Sequence, residues 1–250
     1  MKNRITTIVG ALALVVTLGL AAAPAGATTR HDYDRGWHST AQSTTELSVV
    51  HGVPNLPVDI YVVKNLFSVR KLANVNFGTA ADLNSALPGF VTPGFYFIDI
   101  VPAGTSPFRP LLKAGLFLAP GQSKSVVAYV TADAAGNPGG PTLGVFTNDV
   151  TSTSGAARVT TRHTAVAPTV GVYANGSVGV PPSFSNGQSA SGVVPAATYG
   201  VTITAPNAPG TVLANLGNVT LPANTNTLAF AIGTYPSTFQ VVTLQIPTAH

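Results

Sequence analysis

The chain has 250 residues, 45% of them apolar and only 8% charged, with a formal net charge of +4. The charged share is about a third of the usual one, so the chain lacks the basic footprint of a nucleic-acid or acidic-membrane binder. It has no cysteine, which excludes a disulfide framework, thiol catalysis and cysteine metal sites.

The N-terminus reads as a secretory signal peptide, residues 1–27. Lys2 and Arg4 form a positive start, Ile5 to Leu20 is an apolar run, and Ala25-Gly26-Ala27 supplies the small residues of a cleavage site. An uncleaved anchor is the competing reading, since the run approaches the length that spans a bilayer. Cleavage would remove two positive charges and leave ten basic against eight acidic groups, so the pI near 9.5 carries no functional weight. No second apolar run of spanning length follows, and the mature chain is expected to be soluble and secreted. Residues 28–45 are polar, lack periodicity of either kind, and read as a flexible tail.

Strand signals begin at Glu46. Leu47, Val49 and His51 share one parity; Pro54 and Pro57 interrupt; Val58, Ile60 and Val62 resume. Further strands are expected over Phe95–Val101, Ser125–Thr131 and Leu143–Asn148, separated by turns at Pro88-Gly89, Pro93-Gly94, Pro120-Gly121 and Gly139-Gly140-Pro141. Thr79 to Leu87 has room for a helical turn or two. In the second half, Val159, Thr161 and His163 alternate with Arg158, Thr160 and Arg162, and Leu228, Phe230 and Ile232 alternate with small residues.

The second half repeats the first. LSVVHGVPNLPVDIYV from Leu47 returns, without a gap, as VTTRHTAVAPTVGVYA from Val159. That places His163 over His51 and Tyr173 over Tyr61. TPGFYFIDI near residue 95 echoes PAATYGVTI near 199, and LAPGQSKSVVAYV echoes LPANTNTLAFAI. Short period-2 strands between turns, with no long helix, predict an all-β fold of two tandem β-sandwich domains, 46–150 and 156–250.

The opening motif resembles that of a bacterial secreted domain family of unknown function. Its members show a strand ending in His, a Pro-containing turn, and then Val-Asp-Val-Tyr or a near variant. Here those positions are His51, Pro54, Val58, Asp59, Ile60 and Tyr61, followed by Pro93, Gly94 and Tyr96. The second copy departs at Val166 and Gly171, which replace the first Pro and the Asp. The resemblance implies tandem immunoglobulin-like or transthyretin-like sandwiches, exported and surface-associated. It implies no activity.

Candidate chemistry is sparse. His51 and His163 have the residue type of a base or metal ligand, but one histidine per repeat without a companion makes a poor site. The favoured reading is structural, with ring nitrogens bonded to the following Pro turn. His31, Asp32, Asp34 and His38 have a ligand-like composition for zinc, copper or nickel, set against a polar spacer that costs entropy to order. Asp59 and Asp99 fall in strands, on faces read as outward; Asp82, Asp133 and Asp149 read as turn residues. Asp133 with Asn137 lacks the oxygen spacing of a calcium loop. Beyond Arg162 the chain has no Asp, Glu, Lys or Arg, which removes the usual general acids and bases from the second copy. No cofactor is expected. Tyrosines 61, 96, 129, 173 and 199 suggest packing with the hydroxyl at a rim.

The sequence therefore predicts an exported, non-catalytic structural or adhesive module at or outside the bacterial cell surface. Its expected partners are cell-wall polysaccharide or another surface protein, met by neutral Ser, Thr and Asn faces. The alternative is a secreted carbohydrate-active enzyme or its accessory module, which needs two converging carboxylates in the first repeat.

Overall fold

A computed structural model describes residues 44–178 and 183–248. The signal-peptide reading and the His31, Asp32, Asp34, His38 cluster lie outside these residues. Sixteen strands and one short helix form the described chain. The first half holds β1 (Glu46–His51), β2 (Val58–Lys64), β3 (Ser68–Val75), β4 (Ala80–Asp82), α1 (Leu83–Ala86), β5 (Gly94–Pro102), β6 (Leu112–Leu118), β7 (Ser123–Ala132) and β8 (Pro138–Asn148). The second half holds β9 (Ala157–His163), β10 (Gly171–Ala174), β11 (Ser177–Val178), β12 (Ser189–Val194), β13 (Ala197–Ala205), β14 (Ala208–Leu221), β15 (Thr225–Ile232) and β16 (Gln240–Pro247).

Each half pairs its eight strands in the same way. The sheet β4-β1-β7-β8 corresponds to β12-β9-β15-β16, and β3-β2-β5-β6 to β11-β10-β13-β14. In both halves the first strand runs parallel to the seventh, β1 with β7 and β9 with β15, and the other pairs are antiparallel. The fold is all-β, as the strand periodicity predicts. The helix also falls where expected: Asp82 caps it, accepting from the backbone N–H groups of Asn84 and Ser85 at 3.0 and 3.2 Å.

Alternation decides which side chains enter which layer. Leu47 and Val49 of β1 join Val58, Ile60, Ile98 and Leu116 in a core inside the first sandwich. The opposite parity, Val50 and Val127, packs against Leu228, Phe230, Ile232 and Val242 of the second half. A third core, around Val170, Phe184, Ile203 and Val241, lies inside the second sandwich. The four sheets therefore stack as four layers. The sheets containing β1 and β9 are the inner ones, covered on both faces. Burying Leu228 and Phe230 completely contributes about 1.5–3 kcal/mol each at the seam.

The seam corrects one expectation from sequence. Several Ser, Thr and Asn positions with the parity of a solvated face are buried between the inner sheets. Ser48 donates to Ser125 at 2.8 Å and Ser125 to Asn148 at 3.1 Å. On the facing sheet Thr160 donates to Asn226 at 3.0 Å, and Asn226 Nδ2 reaches across to the Asp149 carbonyl at 2.9 Å. Each of these side chains meets another polar group, which offsets its desolvation. Backbones also touch at the seam. A Cβ on Gly136, whose φ is +88°, would lie 2.7 Å from the Pro168 nitrogen, so this loop tolerates only glycine.

Candidate functional site

The residues singled out from sequence are all placed, except those of the tail. His51 and His163 end β1 and β9 and are almost fully buried, at 1% and 0% exposure. His51 Nε2 lies 2.6 Å from the Leu56 carbonyl, and His163 Nε2 lies 3.0 Å from that of Pro168. Each ring thus ties its strand to the turn five residues on. Pro54 sits in the turn closed by His51. Burial lowers both imidazole pKa values, with the carbonyl bond opposing it, so each ring is held neutral. The edge of one ring, His163 or Phe184, meets the other at 5.4 Å.

A second tie also recurs. Tyr96 donates to the Thr92 carbonyl, and Tyr199 to that of Pro195, each four residues back. Tyr173 is buried, whereas Tyr61 is partly exposed beneath Lys71.

Asp59 and Asp99 point away from the first core, as their parity requires, yet both are buried. Lys71 covers Asp59 in an ion pair of 2.8 Å, and Asn74 N and Gly104 N donate to the same carboxylate at 2.9 and 3.0 Å. The Lys71 contact leads in drawing the Asp59 pKa down to about 2. So acidic a group is a poor proton donor for glycoside hydrolysis. Asp99 faces Lys113, its cross-strand partner, at 3.6 Å. Asp133 accepts from Ala135 N, Asn137 N and Asn137 Nδ2 within its own loop, where a calcium ion would need free oxygens. Asp149 pairs with Arg158 at 2.6 Å. No group of three His, Asp or Glu able to hold a metal occurs among the described residues.

Sequence reasoning missed Glu46. Burial is the main force raising its carboxyl to about 7, against hydrogen bonds from Thr44 and Ser123 and with help from Asp82. A carboxyl poised near neutrality is a signature of sites that move protons, but Asp82 is engaged as the helix cap.

Sequence reasoning also missed a cavity of about 680 Å³ between the two sheets of the second sandwich. Its walls include Val159 and Thr161 of β9, Val172 of β10, Val201 of β13, Leu216 of β14 and Ala229 of β15. Equivalent strand positions of the two halves explain the space. At the spacing of the opening motif, Leu47, Val49, Ile60 and Val62 become Val159, Thr161, Val172 and Ala174. Cross-strand register adds a fifth position, since Val49 faces Val126 where Thr161 faces Ala229. Each exchange trims or polarises a core side chain. The inner sheet is held in place by the seam, so the walls do not collapse together. At one end Val170, Phe184 and Ile203 are buried; at the other Asn175, Pro195 and Asn218 are exposed.

No family model matches the chain, and no curated protein matches it. Solved structures similar to the chain include two that are each named "putative cell adhesion protein". That of Bacteroides ovatus ATCC 8483 is 7% identical with a TM-score of 0.25, covering 84% of this chain and 99% of its own. That of Bacteroides uniformis ATCC 8492 is 10% identical with a TM-score of 0.25 and the same coverage, 84% and 99%. No helix among the described residues is long and apolar enough to cross a membrane.

Proposed function

We propose that this chain is an exported, non-catalytic structural or adhesive module that works by holding a ligand outside the bacterial cell. The signal-peptide pattern, the tandem immunoglobulin-like or transthyretin-like organisation and the family resemblance on His51, Pro54, Asp59 and Tyr61 belong to this reading. One observation carries it. Asp59, Asp99, Asp133 and Asp149 are engaged by neighbouring lysines, arginine or backbone N–H groups, whereas the large concave space lies in the half without a charged side chain after Arg162. Such a space suits binding and not acid–base chemistry.

Fractionating cells that express the full-length gene into medium, wall and membrane tests the location. Accumulation in the medium or wall is expected; retention in the cytoplasm contradicts export. Assaying the recovered protein against a panel of polysaccharides and esters tests the chemistry. Turnover abolished by Asp59→Asn or Asp99→Asn, with folding intact, would replace this reading with the secreted carbohydrate-active enzyme.

A further inference from the structure

We infer that the cavity of the second sandwich is a binding site for an uncharged, largely hydrocarbon molecule. The inference deepens the reading of the chain as a binding module and rests on it.

Three observations converge. The volume of about 680 Å³ falls within the ~300–1,000 Å³ of small-molecule sites. The walls are mainly valine, alanine, leucine and isoleucine, which favour hydrocarbon through burial. Their side chains are cut down relative to Leu47, Val49, Ile60 and Val62 at the equivalent core positions of the first half, whereas protein cores are ordinarily packed to the density of a crystal.

The electrostatics exclude a charge inside. Arg162 borders the cavity, but its guanidinium is turned to the seam, donating to Asn148 at 2.6 Å and stacked on Phe146 and Phe230. His163 is held neutral by burial. No Asp, Glu, Lys or Arg follows Arg162. A carboxylate or ammonium carried into these walls would lose its water and gain no partner. Thr227 pairs with Val159 and Gln245, four residues from Ala231. A chain of hydrocarbon extends from Thr227 toward Ala231 over roughly 13 Å of strand.

The test uses protein recovered from the fraction in which the full-length gene product accumulates. Isothermal titration with 1-decanol, decanoate at pH 8, and decyltrimethylammonium reads affinity and stoichiometry. One site for 1-decanol is expected, with the two ions at least about tenfold weaker. Ala229→Phe fills the space and should abolish binding; Val172→Phe provides the same test from the opposite wall should that variant not fold. If decanoate or the ammonium binds at one site and 1-decanol does not, the ligand class proposed here is wrong while the binding reading stands. If none of the three binds up to its solubility limit, the cavity is not a hydrocarbon site, while the exported, non-catalytic reading still stands on fractionation and turnover. Binding of 1-decanol that is unchanged in folded Ala229→Phe and Val172→Phe places it elsewhere and overturns the site.

Discussion

Arg162 of the second half donates to the side chain of Asn148 in the first at 2.6 Å, across the seam between the inner sheets. It also reaches Ser125 Oγ at 3.4 Å and the Thr147 carbonyl at 3.3 Å. Burial draws its pKa down to about 10, so it stays charged at neutral pH, solvated by these oxygens and by the faces of two phenylalanines. Arg162→Ala would leave Asn148 and Ser125 short of a donor and open a hole beside Phe230. A loss of about 3 kcal/mol or more is expected from chemical denaturation. A loss below about 0.5 kcal/mol, the level of ordinary surface substitutions, would mean that the seam is not closed as described.

Glu46 sets a pH dependence of one sign. Its carboxyl is raised from 4.5 in the unfolded chain to about 7 in the fold. Between those values the folded state holds a proton that the unfolded state releases, so stability falls as pH rises from about 4.5 to about 7. Glu46→Gln should remove that slope and raise stability at pH 8 relative to the parent. Melting temperatures at pH 5, 6, 7 and 8 for the two proteins check this; parallel curves would contradict it.

His51 and His163 act in the opposite sense. Both are lowered from 6.5 by burial, so the unfolded chain binds protons there first. Stability from keeping them neutral is present above about pH 6.5 and is lost as pH falls through that value. His51→Gln and His163→Gln should each flatten the acid side of the profile while losing about 1–3 kcal/mol at pH 8, because a buried carbonyl loses a well-placed donor. An acid limb unaffected by both substitutions would contradict the neutral assignment.

Asp59 acts lower still. Held down to about 2, its carboxylate contributes stability above the unfolded value near 3.8, and that contribution is lost as pH falls toward 2. Asp59→Asn should weaken the fold by about 1–3 kcal/mol at neutral pH, through Asn74 N and Gly104 N, and should leave binding in the second sandwich unchanged. Binding lost in a folded Asp59→Asn protein would place the ligand in the first sandwich instead.

Much of the fold is legible in the sequence because its determinants are local. Period-2 alternation, Pro-Gly turns and the ungapped return of the opening motif give the strand class and the correspondence of His51 with His163. The short or polar strands β3, β4, β11, β12 and β14 escape that reading because they lack regular apolar alternation. The seam escapes it for another reason. Ser48, Ser125, Thr160 and Asn226 have the residue types of a wet surface, and only their pairing with one another makes burial tolerable. Asp59 shows the same limit: parity gives its face, but not the lysine that covers it. The cavity is legible in the step from Leu47 and Ile60 to Val159 and Val172, once equivalent strand positions of the two halves are compared by size as well as by type.

Scanning calorimetry of the purified protein with and without saturating 1-decanol tests the central claim most directly. A ligand at about 100 times its Kd should add about 2.7 kcal/mol to the state that binds it, and because the halves share a buried seam the whole transition should move upward together. An unchanged melting temperature at saturation, or a shift kept in full by folded Ala229→Phe, would contradict the account.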